Sequence, residues 1–98
     1  MNKKYFFLKL NPPRKSFMMD MNDEEKAVMT QHVLYWKKYV DDGTALVLGP
    51  VADLAGGYGI AVVAVESEEQ LKAIIAADPV NGLNQYEWHP MPRVATKG

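Results

Sequence analysis

Hydrophobic positions follow two rhythms along this chain. Residues 5–10, "YFFLKL", are dense in aromatic and apolar side chains and read as a first strand, ended by Asn11-Pro12-Pro13. From residue 23 the rhythm becomes helical. At 100° per residue, Val28, Met29, His32, Val33, Tyr35, Trp36, Tyr39 and Val40 fall within roughly 160° of arc, with Lys26, Thr30, Lys37, Lys38 and Asp41 outside it. Asn22 and Glu25 have the spacing of a capping box, and Gly43 supplies the stop, so the pattern predicts a helix to about Asp42. "TALVLGPV" reads as a second strand broken at Gly49-Pro50, "ADLAGG" as a turn, and "YGIAVVAVE" as a third strand. Ser67 and Gln70 repeat the capping-box spacing and open a second helix. Its buried side is Leu71, Ile74 and Ile75, and its last turn holds Asp78, because Pro79 follows. "QYEWHPM" is the last strand, and the tail "RVATKG" is expected to be loose.

The order β-α-β-β-α-β is that of an α+β, ferredoxin-like fold, with two helices on one four-stranded antiparallel sheet. The length, 98 residues, suits a single domain spanning 1–98. "IAVVAV" is apolar on both alternating faces, yet two helices cover one face only. A second copy of the same sheet is the simplest cover for the other face. That predicts a homodimer joined through the sheet faces, with Val63 taken as a residue facing the partner. The segment "RKSFMMDM" is expected to be a loop without regular structure. Its methionines and phenylalanine either cover the core edge or form a mobile lid over a pocket.

Composition narrows the function classes. Hydrophobic residues make up 48% and charged residues 23%, and the formal charge is -1, so no nucleic-acid or anionic-membrane footprint is visible. No cysteine is present, which removes disulfides, thiolate metal sites and a cysteine nucleophile. The start "MNKKYFFLKLNPPRK" has too short an apolar run for a signal peptide, and no stretch nears the roughly 18 apolar residues of a membrane span. A cytoplasmic protein is expected.

Two residues stand out as chemistry. His32 lies well inside the apolar arc, between the directions of Tyr39 and Trp36. A ring there is either a satisfied core histidine or a general acid/base, since imidazole titrates nearest neutrality and its nitrogens need partners away from water. Asp78 sits where the helix dipole disfavours negative charge. It either caps the following turn or orients His32 as a partner in proton transfer. Tyr35 shares the histidine's arc, and Gly49 and Pro50 are candidates for a pocket wall. "GPVADLAGGYG", with Asp53, matches no phosphate-binding spacing and reads as turn chemistry. Arg14 is placed to meet an anionic substrate, while Lys3, Lys4 and Lys15 look like solvated charge. His89 is expected to be exposed. Two histidines without HxH or HExxH spacing argue against a metal site, and no cofactor motif is present.

Taken together, "H…Y…DDGTALVLGPV…D…YG", a helix ending "ADP" and a strand beginning "QYE" resemble the YciI-like, or YCII-related domain, proteins. His32, Gly43, Gly49-Pro50, Asp53, Ser67-Glu68, Asp78-Pro79 and Tyr86-Glu87 stand in that family's order. The resemblance implies a dimeric α+β barrel with a pocket near the sheet and a His-Asp active site, carried here by His32 and Asp78. Arg14, Tyr35, Gly49, Pro50 and Asp53 are then candidates for binding a small-molecule substrate. Most such proteins have no assigned reaction, and one branch includes a dehydrochlorinase of a chlorinated, hydroxylated aromatic. The loop "NPPRKSFMMDMND" is longer here than in the shortest members. A cofactor-independent enzyme and a non-catalytic ligand-binding module both fit.

Overall fold

A computed structural model describes residues 3–96. Strands β1 (Lys4–Asn11), β2 (Ala45–Val51), β3 (Tyr58–Val65) and β4 (Gln85–Met91) form one antiparallel sheet in the order β2-β3-β1-β4. Helices α2 (Asp23–Asp41) and α3 (Glu68–Ala76) are the two expected from periodicity, and the fold is the ferredoxin-like α+β arrangement. A third helix, α1 (Phe17–Asp20), occupies the segment expected to be an irregular loop.

Local chemistry sets the helix ends. Asn22 accepts from the Glu25 amide while the Glu25 carboxylate accepts from the Asn22 amide, a complete capping box. Gly43 follows α2 at φ +83°, a backbone state that side chains disfavour. At α3, Ser67 accepts from Gln70 N, but the Gln70 side chain reaches one residue further back, to the Glu66 amide. The helix also stops earlier than expected. Ala76 is its last residue, so Asp78 stands in the turn beyond it rather than in its final turn.

The sheet corrects two further expectations. β2 is not broken at Gly49-Pro50; it runs on to Val51, with Pro50 opposite Gly59. An outer strand has one side free of a ladder, where a missing N–H costs nothing, and Pro90 in β4 uses the other edge in the same way. The second correction is one of phase. Phe6, Leu8, Ala61, Val63 and Val65 are buried against the helices, with Trp36, Leu71 and Ile74 above them. Val63 therefore belongs to the core and does not face outward. Residues of the opposite phase, including Tyr5, Phe7, Ile60, Val62 and Ala64, lie on the face that neither α2 nor α3 covers.

Helix α2 also buries less than its apolar arc promises. Only Trp36 is fully buried, and Val33 and Val40, at the arc's far edge, are exposed. Where Met29, His32 and Val33 face the sheet, there is a cavity instead of packed side chains.

Candidate functional site

Three elements bring the site together. His32 and Trp36, one helical turn apart on α2, project to the same side. Asp78 is fixed by the turn after α3, where its amide donates to Ile75 O and Asn81 Nδ2 also donates to Ile75 O, at 2.7 Å. Tyr86 alternates with Trp88 on the helix-facing side of β4.

All of them converge on the Asp78 carboxylate, whose side chain is fully buried. It accepts from His32 Nδ1 at 2.8 and 3.1 Å, Trp36 Nε1 at 2.8 Å and Val80 N at 2.9 Å, and from the Tyr86 hydroxyl. Burial alone would push its pKa up, but the bonds from His32, Tyr86, Val80 and Trp36 outweigh it and hold the carboxyl below its ordinary value. The group is an anion. Burial, reinforced by the neighbouring carboxylate, drives the Tyr86 phenol far upward, so it stays a donor.

An ionised Asp78 fixes the histidine tautomer. Its oxygens only accept, so Nδ1 carries the proton and Nε2 is left as the basic nitrogen of the neutral ring. Nε2 has no hydrogen-bond partner among the described residues and is not sealed in the protein. His32 lines the cavity, and Nε2 is the ring nitrogen that Asp78 leaves free. Asp78 makes both kinds of contact: one oxygen accepts from the Val80 amide in the turn, and both meet His32 Nδ1.

The cavity is about 420 Å³. Leu8, Leu10, Leu48 and Ala61 form its floor; Met29, His32, Val33 and Trp36 its roof; Phe17, Met18 and Met21 one side. Gly49 and Pro50 line it, as a pocket wall should. Gly57 lets the methionine side close over it, because a Cβ there would stand 2.1 Å from Met18 Sδ.

Other candidates lie elsewhere. Tyr35 points toward α3, where its hydroxyl donates to Ile74 O at 2.6 Å; burial first, then Tyr39, raises its pKa. Arg14 is paired with Glu25 at 2.8 Å and Asp20 at 2.8 Å, so its charge is already matched. Arg14 and Asp53 border a second, more open cavity of about 380 Å³, where Asp53 accepts from the Ala55 amide. His89 is exposed, as expected, 3.4 Å from Glu87.

Trp36 and Tyr86 are the residues that sequence reasoning missed as parts of the site. Trp36 reads as core, and its indole N–H is visible as a donor only once Asp78 is placed beneath it. The four-residue step from His32 is the one local signal. Among the described residues, no group of three or more His, Cys, Asp or Glu side chains is arranged to hold a metal ion, and no helix is long and apolar enough to cross a membrane.

The family model described as "YCII-related domain" matches residues 5–91 of the chain. No curated protein matches it.

Proposed function

This chain belongs to the YCII-related domain family, and on that premise we propose that it is a cofactor-independent enzyme using His32 and Asp78 for acid/base chemistry on a small organic molecule. The observation that carries this reading is the buried Asp78 carboxylate bonded to His32 Nδ1, with His32 lining the cavity. Nε2 takes a proton from a C–H or O–H of the substrate or, for hydrolysis, from the attacking water. Asp78 favours the imidazolium that results, holds the ring in orientation and stays ionised. The imidazolium then returns the proton to a leaving group, to another atom of the substrate, or to product after attack by water. Elimination, isomerisation and hydrolysis share this first step.

The working form in this proposal is a homodimer. Tyr5, Phe7, Ile60 and Val62 make the uncovered sheet face apolar, and a second copy laid on it removes that surface from water. With Val63 buried against the helices, Val62→Lys is the substitution that addresses this face. Sedimentation of the parent as a dimer and of Val62→Lys as a folded monomer is expected; a parent that is monomeric at micromolar concentration contradicts the assembly.

A binding module without chemistry is the second reading. It is favoured by the bonds from Trp36, Tyr86 and Val80 to Asp78, which knit the fold whatever His32 does. Proton exchange separates the two. A panel of neutral ketones and hydroxylated rings incubated in deuterated water, followed by proton NMR, should include a member whose exchange or turnover requires the protein and is lost in folded His32→Ala. Members that shift the cavity resonances without any exchange, and bind His32→Ala equally well, would favour the binding module.

A further inference from the structure

One polar side chain of the cavity lining has no partner in the fold. Asn84 is only 6% exposed and stands just before β4, where its backbone amide donates to Val80 O at 3.1 Å. Its side chain makes no hydrogen bond among the described residues, and its two polar atoms differ in access. Oδ1 is sealed in protein, whereas Nδ2 is not. A sealed oxygen without a donor lowers stability, and a leucine at this position would avoid that cost. Asn84 lines the same cavity as His32, and Nδ2, with two N–H bonds unmatched, is the hydrogen-bonding atom that its side chain has to offer there.

The rest of the lining leaves that donor without a rival among side chains. Trp36 Nε1 and the Tyr86 hydroxyl already donate to Asp78. Tyr58 has the phase of the uncovered sheet face, with Lys9 Nζ 4.4 Å from its ring centre. Neutral His32, protonated at Nδ1, leaves only an acceptor. No Lys, Arg, Asp or Glu side chain lines the cavity, so a charged ligand would enter without a counter-charge. We infer that Asn84 Nδ2 donates to the oxygen of a neutral, largely apolar carbonyl compound and selects ligands that carry this acceptor. The inference rests on the reading of this cavity as the His32 substrate site, to which it adds the class of molecule and the residue that selects it. A ligand without the acceptor covers the amide and leaves its N–H groups unpaired, which costs affinity.

Acetophenone and α-methylstyrene test this directly, because they match in shape and differ in carrying C=O or C=CH₂. Their affinities are measured by calorimetry or NMR titration on the parent, Asn84→Leu, Asn84→Ala and His32→Ala. Comparing ratios between variants cancels the difference in hydration of the two probes. The expected result is an acetophenone-to-α-methylstyrene affinity ratio about tenfold lower in Asn84→Leu than in the parent, with the parent's ratio kept in His32→Ala. Asn84→Ala should lower the ratio in the same way, which decides the matter if the leucine variant fails to fold. An unchanged ratio in the Asn84 variants overturns the inference and leaves the cavity reading standing. So does a preference for indole over indene that is lost in Asn84→Leu, because the amide would then be accepting from the ligand. If the parent binds neither acetophenone nor α-methylstyrene, the inference and the reading of a small-molecule cavity fall together.

Discussion

Two carboxylates in this protein are held below their ordinary pKa by opposite kinds of surroundings. Glu25 is lowered to about 2 chiefly by the Arg14 guanidinium, with help from the Asn22 amide, in a cluster whose Arg14 and Asp20 side chains reach solvent. Asp78 is lowered in spite of burial, through bonds from His32, Tyr86, Val80 and Trp36. In the first cluster a full positive charge meets the negative one, and water screens what remains. In the second, an anion is held away from water by hydrogen-bond donors on α2, the turn after α3 and β4. The Arg14 cluster is a clasp for α1, whereas the Asp78 cluster ties α2, the turn after α3 and β4 to one buried carboxylate beside the cavity. Both regions carry candidates from the sequence, and they differ in that the Asp78 side chain is fully buried while Arg14 and Asp20 are not.

Substitutions at the two clusters should differ accordingly. Asp78→Asn, the most severe, turns an amide N–H₂ toward donors that need an acceptor, and should cost about 4 kcal/mol in denaturant unfolding. A loss below 1 kcal/mol would reduce Asp78 to the rank of the surface carboxylates. Tyr86→Phe removes one donor to Asp78 and keeps the ring, so about 2 kcal/mol is expected by the same measurement. Gly57→Ala should cost about 1 kcal/mol and displace Met18 from the cavity mouth, which chemical shifts of the methionine methyl groups would report. Arg14→Ala should leave the melting temperature close to the parent's and mainly loosen the turn at Phe17–Asp20, read as faster amide exchange there.

The pH response sharpens the same contrast. Because Asp78 has a lower pKa folded than unfolded, its contribution to stability is fully present above the unfolded value of about 4. That contribution is lost as pH falls through the depressed folded pKa. Acid unfolding curves of the parent and Asp78→Asn should accordingly converge as pH drops below about 4. Curves that stay parallel down to the acid limit would show that the carboxylate is not ionised in the folded protein.

Much of the fold was readable because it is written locally. The caps at Asn22 and Ser67, the stop at Gly43 and the strand rhythms each need only a few neighbouring residues. The missed features depend on distant ones. Phe17–Asp20 turns helical where Phe17 is buried and Arg14 joins Asp20 to Glu25, none of which a four-residue pattern announces. Pro50 reads as a strand break until β2 is known to be an edge. Val63 was assigned to the wrong face because a strand apolar on both sides gives no phase of its own. His32 and Asp78 were legible as two polar residues in costly places, and the structure brings them into contact across 46 positions of sequence. Arg14 and Tyr35 looked equally suitable; in the fold Arg14 is bonded to its near neighbours Asp20 and Glu25, and the Tyr35 hydroxyl to Ile74 O on α3.

The account depends most on which nitrogen of His32 carries the proton. Nitrogen-15 NMR of the imidazole ring, recorded above the pH at which His32 becomes neutral, reads this directly in the parent and in Asp78→Asn. The account predicts a parent ring protonated at Nδ1 with Nε2 bare, and a loss of that preference in the variant. A parent ring protonated at Nε2, with Nδ1 bare beside Asp78, would contradict it.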